Sequence, residues 1–460
     1  MSAQILPFTA PEALPAATPR PLRIAPEALL AGAPRPATAL AETVSLCPDC
    51  RVVVPALLFE RDGDLHMWRD CPSHGRRTDL YWKDAALYRA IDAVLPKDKG
   101  CEVPECARGI RCDRHFEWTY TIMLNVTGRC NFHCPVCLAG ANEIETGLLT
   151  PAMIEHVLPE PPARGFRPNV CLIGGEPTVR KDLPELIRAV KARGYVPRLN
   201  TNGSLLTRPG KIEELKAAGL EWVILQFDGF DDAIYEKTRG QGLIDNKLEV
   251  IEKLRAANIK VQFAVMLVQD LNTDQIGPII RFALENGIFW VSFYPHSRVV
   301  RNESIAGVPD STHVADALAA IESETGGRIR PSDFVDSVTW LSRLYRVTGR
   351  EELRQKLSTL PMVVVGDAHD YAPITRLDSP AAVLGRGLKL ARFAPAVGDI
   401  LRYATRQPPR GLLFLTVEKF HNVDTLDLRE ASSCHMCYVT KNGTVAFDIY
   451  NALHREQGDW

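Results

Sequence analysis

The stretch NVTGRCNFHCPVCLAG, Asn125–Gly140, sets Cys130, Cys134 and Cys137 in the order C-x3-C-x2-C directly behind the apolar run TIMLNVT. Such a run reads as a strand, and a short loop leaving a strand end can fold around a cubane iron–sulfur cluster, whose irons take thiolate ligands. Three thiolates leave one iron open. A structural metal site is closed by a fourth protein ligand, whereas an open position admits a substrate or cosubstrate.

On both sides of this loop the pattern alternates. TYTIMLNVT, NVCLIGG, VPRLNTN, EWVILQFDG, KVQFAVMLV and FWVSFYPH read as strands. LPELIRAVKARG, KIEELKAAG, NKLEVIEKLRAAN and QIGPIIRFALENG read as amphipathic helices stopped by Gly or Asn. Repeated βα units across residues 118–298 predict an α/β fold, either a barrel or an open doubly wound sheet, with ligands at the C-terminal strand ends.

The chain has 460 residues, 46% of them hydrophobic, and a net charge of −2. That size supports a large core, and the charge gives no general attraction for nucleic acid. No apolar run is long enough to cross a membrane. Residues 1–44, rich in Pro and Ala and without the features of a secretory signal, read as a flexible tail of a cytoplasmic protein. In a reducing compartment the twelve cysteines read as metal ligands or catalytic thiols rather than disulfides. Cys171, within NVCLIGG, reads as a buried small hydrophobe.

Residues 45–117 form a Cys-rich segment. CPDC (Cys47, Cys50) and CPSHG (Cys71, His74) have the spacing C-x2-C-x20-C-x2-H, two knuckles joined by the hairpin VVPALLFERDGDLHMWRD, and predict a mononuclear zinc or iron site. Cys101, Cys106 and Cys112 follow, with His115 as a candidate fourth ligand. Residues 299–430 read as a helical region, and residues 431–460 as a tail carrying Cys434 and Cys437, which are candidates to close an auxiliary [4Fe–4S] cluster with the first three.

The C-x3-C-x2-C loop, its strand context and LIGGEPTVRKDLPEL after the next strand together resemble the radical S-adenosylmethionine (SAM) enzymes. The resemblance implies a partial (β/α)6 TIM-type barrel. It also implies Cys130, Cys134 and Cys137 as ligands of a [4Fe–4S] cluster whose open iron is chelated by SAM. Gly174, Gly175, Glu176 and Pro177 match the family's GGEP motif, which contacts the SAM amino group; the glycines are expected to let backbone approach the ligand, and the carboxylate to accept from its ammonium. Asn200, Thr201 and Asn202 of LNTNG, Gln226 and Asp228 of LQFDG, and Arg239 of YEKTRG complete the expected pocket. The implied chemistry is reductive cleavage of SAM to a 5'-deoxyadenosyl radical that removes hydrogen from an unactivated carbon, with an electron from a partner such as flavodoxin or ferredoxin.

CPDC, CPSHG, DLYWKDAALY, the three-Cys segment and YVTKNGTV with IYNALHR resemble, more narrowly, tetraether lipid synthase and its relatives, among them proteins proposed to methylate pterins with a methylene-folate donor. Those synthases carry further cysteines after the last barrel strand and near the C-terminus, whereas FYPHSRVVRNESIAG and AFDIYN here have none. The basic stretch with Arg386, Lys389, Arg392, Arg402, Arg406 and Arg410 suits a lipid surface with peripheral membrane contact, or a solvated helical face. The function expected is C–C bond formation or methylation on a lipid-like or other small molecule. A peptide maturase is the alternative, and an iron–sulfur carrier or scaffold a third reading, which leaves GGEP unexplained.

Overall fold

The computed structural model describes residues 39–95, 119–144, 149–161, 168–297, 301–302, 305, 309, 311–347, 359–376, 411–432, 434–440 and 443–455. An N-terminal antiparallel meander comprises β1 (Ala39–Leu46), β2 (Val53–Arg61), β3 (Asp64–Cys71) and β4 (Gly75–Trp82). The β2–β3 hairpin turns on Asp62 (φ 55) and Gly63 (φ 83), two residues with positive φ, as the right-handed twist of paired strands demands. Helix Ala85–Val94 follows, its N-terminus capped by the Asp84 carboxylate.

The main sheet is built on β5 (Thr121–Thr127), β7 (Asn169–Gly174), β8 (Val196–Thr201), β9 (Trp222–Gln226), β10 (Lys260–Leu267) and β11 (Trp290–Pro295), all parallel in that order. Between β5 and β7 lies the two-residue β6 (Val136–Cys137), in the cysteine loop. It pairs with β12 (Arg301–Asn302), so the chain leaving β11 crosses over that loop. The six strands are the six read from the sequence. Helices Leu183–Ala192, Lys211–Ala218, Ile244–Ala256 and Ile276–Asn286 cover the outer face, and their expected stops at Gly194, Gly219, Asn258 and Gly287 all have positive φ.

Strand alternation divides the core. Ile122, Leu124 and Val126 of β5 belong to the large cluster under the helices, whereas Met123 lies with Cys171, Trp222, Ile224, Trp290 and Tyr438 in a second cluster on the concave face. Cys171 is fully buried there, and burial pushes its thiol up to about 12, as befits a packing residue.

Two expectations need correction. Residues 299–430 are not simply helical: beside helices Val314–Glu324 and Pro331–Val347 stand β13 (Thr359–Gly366), β14 (Tyr371–Pro373) and β15 (Leu412–Glu418). β15 pairs parallel with β11, and β13 and β14 cap that edge antiparallel. At the other edge β16 (Met436–Thr440) pairs parallel with β5 and is capped by β17 (Gly443–Ala446), so eight parallel strands lie side by side. TLPMVVVG and GLLFLTVE are short apolar runs that periodicity does not separate from buried helix, and Pro361 speaks against a strand interior. Pro361 is tolerated because β14 pairs only with Val364–Gly366, leaving the proline's side of β13 open.

The second correction moves the boundary of the N-terminal tail, because β1 starts at Ala39. ALAETVSL lacks apolar alternation since its inward positions include Thr43 and Ser45, which donate to Asp427 Oδ1 (2.6 Å) and the Leu426 carbonyl (2.7 Å). Buried Arg69 adds bonds to the carbonyls of Leu46 (3.0 Å), Val423 (3.0 Å) and Asp424 (2.9 Å) and to Asp79. The meander is thereby fastened to the segment leaving β15. Among the described residues, no helix is long and apolar enough to cross a membrane.

Candidate active site and metal centres

Successive strand ends bring their loops to one cavity of about 300 Å3. Its wall includes Cys130, Cys134 and Cys137, Gly174–Glu176, Asn200–Asn202, Gln226 and Arg239. Of the expected cofactor residues, Pro177 and Asp228 stand behind this wall. Pro177 opens a single 3-10 turn, and fully buried Asp228 holds Arg239 (2.7 Å), the Gln226 amide (2.5 Å) and the Met266 N–H (3.1 Å). Arg239 in turn lies within electrostatic reach of the Cys134 thiol.

The cysteine loop is shaped by Asn142, whose side chain accepts from the Cys130 N–H (2.8 Å) and donates to the carbonyls of Cys130 (3.2 Å) and Phe132 (3.1 Å). Asn131 ties it to Asn202 (2.9 Å) and Ser204 (2.7 Å) after β8. Burial pushes the Cys130 thiol up to about 11, and the Glu176 carboxylate and the other two thiols add to this. Three thiolates here require a strong positive charge among them, which a metal cluster supplies.

GGEP also makes two sets of contacts within the protein itself. A Cβ on Gly175 would lie 2.2 Å from the Arg129 carbonyl oxygen, and one on Gly174 2.2 Å from that of Thr127. The glycines thus admit the backbone of the cysteine loop itself, and two N–H···O bonds cross the contact, Gly175 to Thr127 (2.7 Å) and Glu176 to Arg129 (2.8 Å). The Glu176 carboxylate already accepts from the Thr178 N–H (3.0 Å), the Thr178 and Thr201 hydroxyls (2.5 and 2.7 Å) and the Asn202 N–H (2.7 Å). Most of its lone-pair sites are taken by protein, and it pins the β7 and β8 loops together.

Two residues escaped the sequence reading. Lys247, on helix Ile244–Ala256, is fully buried and donates to Gln226 Oε1 (2.7 Å) and the Asn202 carbonyl. Burial lowers its pKa to about 7. The signal was present: Ile244, Lys247, Val250, Ile251 and Leu254 follow the helical stripe, and a lysine on an apolar stripe is out of place. Asn125 is buried near Gly174 with neither amide atom bonded to protein, a residue with unused capacity beside the cavity.

The second centre lies in the meander. The donor atoms of Cys47, Cys50, Cys71 and His74 all fall within 4.8 Å of one another. Cys47 Sγ and Cys71 Sγ each lie 3.6 Å from His74 Nδ1, and Cys50 and Cys71 Sγ are 3.7 Å apart. Zinc bonded to sulfur at about 2.3 Å and nitrogen at about 2.0 Å needs donor separations of about 3.5–3.8 Å at tetrahedral angles, so the four donors fit that ion. The knuckles match in form, each turning at the fourth residue after its first cysteine, Arg51 (φ 59) and Gly75 (φ 75). Hydrogen bonding to His74 brings the Cys71 thiol down to about 6, towards the thiolate a metal requires. By contrast, Cys130, Cys134 and Cys137 share a cavity wall without converging to single-ion spacing, as suits ligands of three separate irons.

Replacing Cys71 with Ser is expected to remove one equivalent of zinc, measured by metal analysis, and to expose residues 39–83 to limited proteolysis, because a structural zinc contributes folding free energy directly. Retention of zinc and of protease resistance would contradict this assignment.

Cys434 and Cys437 are buried, at the turn into β16 and within it. Cys101, Cys106, Cys112 and His115 lie outside the described residues, as do Arg386, Lys389, Arg392, Arg402, Arg406 and Arg410.

An open cluster loop, GGEP and polar strand ends around one cavity define a class of enzyme, and residues 124–283 match the model of the radical SAM superfamily. The chain belongs to that superfamily and is a radical SAM enzyme, which implies a [4Fe–4S] cluster and SAM as its cofactors. More particularly, it is 33% identical over 362 residues to the 7,8-dihydro-6-hydroxymethylpterin dimethyltransferase of Methanocaldococcus jannaschii, covering 73% of this chain and 70% of that protein. Residues 39–83 match the HMPTM N-terminal zinc ribbon domain. A GTP 3',8-cyclase of Clostridium perfringens is 31% identical over 172 residues, 36% of this chain and 52% of its own, so the chain spans about half of that relative. Among solved structures, Streptococcus suis SuiB bound to S-adenosylmethionine matches with a TM-score of 0.39 and 19% identity, covering 45% of this chain and 47% of that one. These comparisons give no support to lipid biosynthesis.

Proposed function

We propose that this enzyme methylates a carbon of a small, planar, nitrogen-rich substrate of the reduced pterin class. The observation that carries the reading is the similarity to the pterin dimethyltransferase, which runs through both the ribbon and the core. The cavity supports it: beyond the strand-end loops its wall turns aromatic, with Tyr294 and Phe420 stacked at 5.0 Å, Phe420 and Phe447 at 5.0 Å, and Phe447 and Tyr438 at 5.5 Å. Flat π-faces suit a bicyclic heteroaromatic ring better than a flexible acyl chain or peptide. The N-terminal element speaks against the maturase alternative, since it is a metal ribbon and not a winged helix that would bind a peptide.

In this reading Cys130, Cys134 and Cys137 hold the cluster, and Asn200, Thr201, Asn202 and Arg239 orient SAM beside it. When bound, cluster and SAM supply the radical that activates the substrate carbon. The chain's own residues hold the two reactants in register and exclude water. Cys101, Cys106 and Cys112, with Cys434 or Cys437 as the fourth, are the proposed ligands of an auxiliary cluster.

The test offers 6-hydroxymethyl-7,8-dihydropterin to anaerobically reconstituted enzyme with SAM and dithionite, and either SAM or methylenetetrahydrofolate as one-carbon source. The expected product carries one or two additional methyl groups by mass. Formation of 5'-deoxyadenosine with an unaltered pterin under both conditions would eliminate the pterin reading.

A further inference from the structure

The aromatic half of the cavity contains one buried acid, Glu418, the last residue of β15, 6% exposed. Its Oε1 accepts from the hydroxyls of Ser292 (3.0 Å) and Thr416 (2.8 Å). The two hydroxyls also meet each other, Thr416 Oγ1 to Ser292 Oγ at 2.8 Å, and each oxygen receives a further donor, Gln262 Nε2 for Ser292 (3.0 Å) and Trp290 Nε1 for Thr416 (3.2 Å). This relay across β10, β11 and β15 fixes the carboxylate in one orientation. Among the described residues, Oε2 accepts no hydrogen bond and no Lys or Arg pairs with the group. The adjacent Lys419 reaches the other way, over the rings of Tyr81 (4.4 Å) and Trp82 (4.9 Å).

Glu418 lines the cavity with Oε1 committed to the two hydroxyls and Oε2 uncommitted, and burial of the side chain raises the pKa of this acid. A bound molecule that brings N–H donors to Oε2 completes the hydrogen bonding of the carboxylate. Oε2 has two lone-pair sites, and the cavity that Glu418 lines is walled by aromatic rings, a combination that suits adjacent N–H groups on the edge of a flat conjugated ring. A 2-amino-4-oxopyrimidine edge has this pattern in its ring N3–H and its exocyclic amino group.

We propose that Glu418 is the specificity-determining residue of the substrate site and reads the 2-amino-4-oxopyrimidine edge of the substrate. The proposal rests on the pterin reading for the size and flatness of the substrate, but it names the edge, which pterins share with guanines. Arg455, stacked over Tyr438 and Tyr450 at 4.9 Å and bonded to the Tyr438 hydroxyl (2.5 Å), sets a fixed cation on the same cavity wall.

The test measures dissociation constants on holoprotein with SAM bound, for two matched pairs: 6-hydroxymethylpterin against 6-hydroxymethyllumazine, and guanosine against xanthosine. In each pair the second compound carries oxygen in place of the 2-amino group. Wild-type protein is expected to prefer the 2-amino member of at least one pair by about 10-fold or more, and Glu418→Gln to weaken that member by about 10- to 100-fold and bring the ratio close to one. Iron content and melting temperature check that the variant is folded, and Glu418→Ala supplies a second substitution. No preference in wild type, or a preference that survives both substitutions, overturns the proposal. A Glu418-dependent preference confined to the guanosine pair would uphold the edge reading and remove the pterin one. Pterin methylation with no dependence on Glu418 would do the reverse.

Discussion

Cys134→Ala is expected to abolish formation of 5'-deoxyadenosine, lowering it by about 1,000-fold or more, since residues that act as one unit fail together when one is removed. Burial, Glu176 and the other two thiols keep the Cys130 thiol at about 11. Without the full ligand set the cluster is lost, so iron should fall by about four per chain. Zinc should not change, because Cys47, Cys50, Cys71 and His74 belong to a separate sheet. The fold should persist as well, since the Asp228–Arg239 pair beneath the loop does not depend on the thiol. Wild-type SAM cleavage in this variant would remove Cys134 from the proposed ligand set.

Gly175→Ala is expected to damage the same cluster without touching any ligand. The added methyl carbon would sit 2.2 Å from the Arg129 carbonyl oxygen and 2.5 Å from the carbonyl carbon, and backbone cannot move aside as a flexible side chain can. The loop must lift, breaking the bonds from Gly175 to Thr127 and from Glu176 to Arg129. Such overpacking costs about 1–3 kcal/mol, and the displacement falls one residue from Cys130. Iron content and SAM cleavage should drop together while the ribbon keeps its zinc. If instead the iron is retained and only the KM for SAM rises, the glycine serves ligand approach, as the motif alone suggested.

These two variants mark different depths of legibility. Cys130, Cys134 and Cys137 were readable as candidate ligands because they lie within one short loop, where spacing limits what they can embrace. Cys47, Cys50, Cys71 and His74 were readable for the same reason, each knuckle being local and the intervening hairpin announced by Asp62-Gly63. The reason for Gly175 was not readable, since its neighbour Arg129 becomes its neighbour only when β5 and β7 pair. Lys247 left a trace, a lysine on an apolar helical stripe, but its target Gln226 lies on a different strand. Glu418 left none.

Taken alone, the sequence determined the class of chemistry, the six βα strands and two candidate metal centres, because each is written in local spacing and periodicity. Tertiary structure alone decided that β15 and β16 extend the parallel sheet on its two sides, that Glu176 is a clamp between loops, and that Glu418 lines the cavity. The physical reason is range. Ser292 and Glu418 are 126 positions apart and Thr43 and Asp427 384, and contacts across such distances arise from burial of whole strand faces, which no local pattern records.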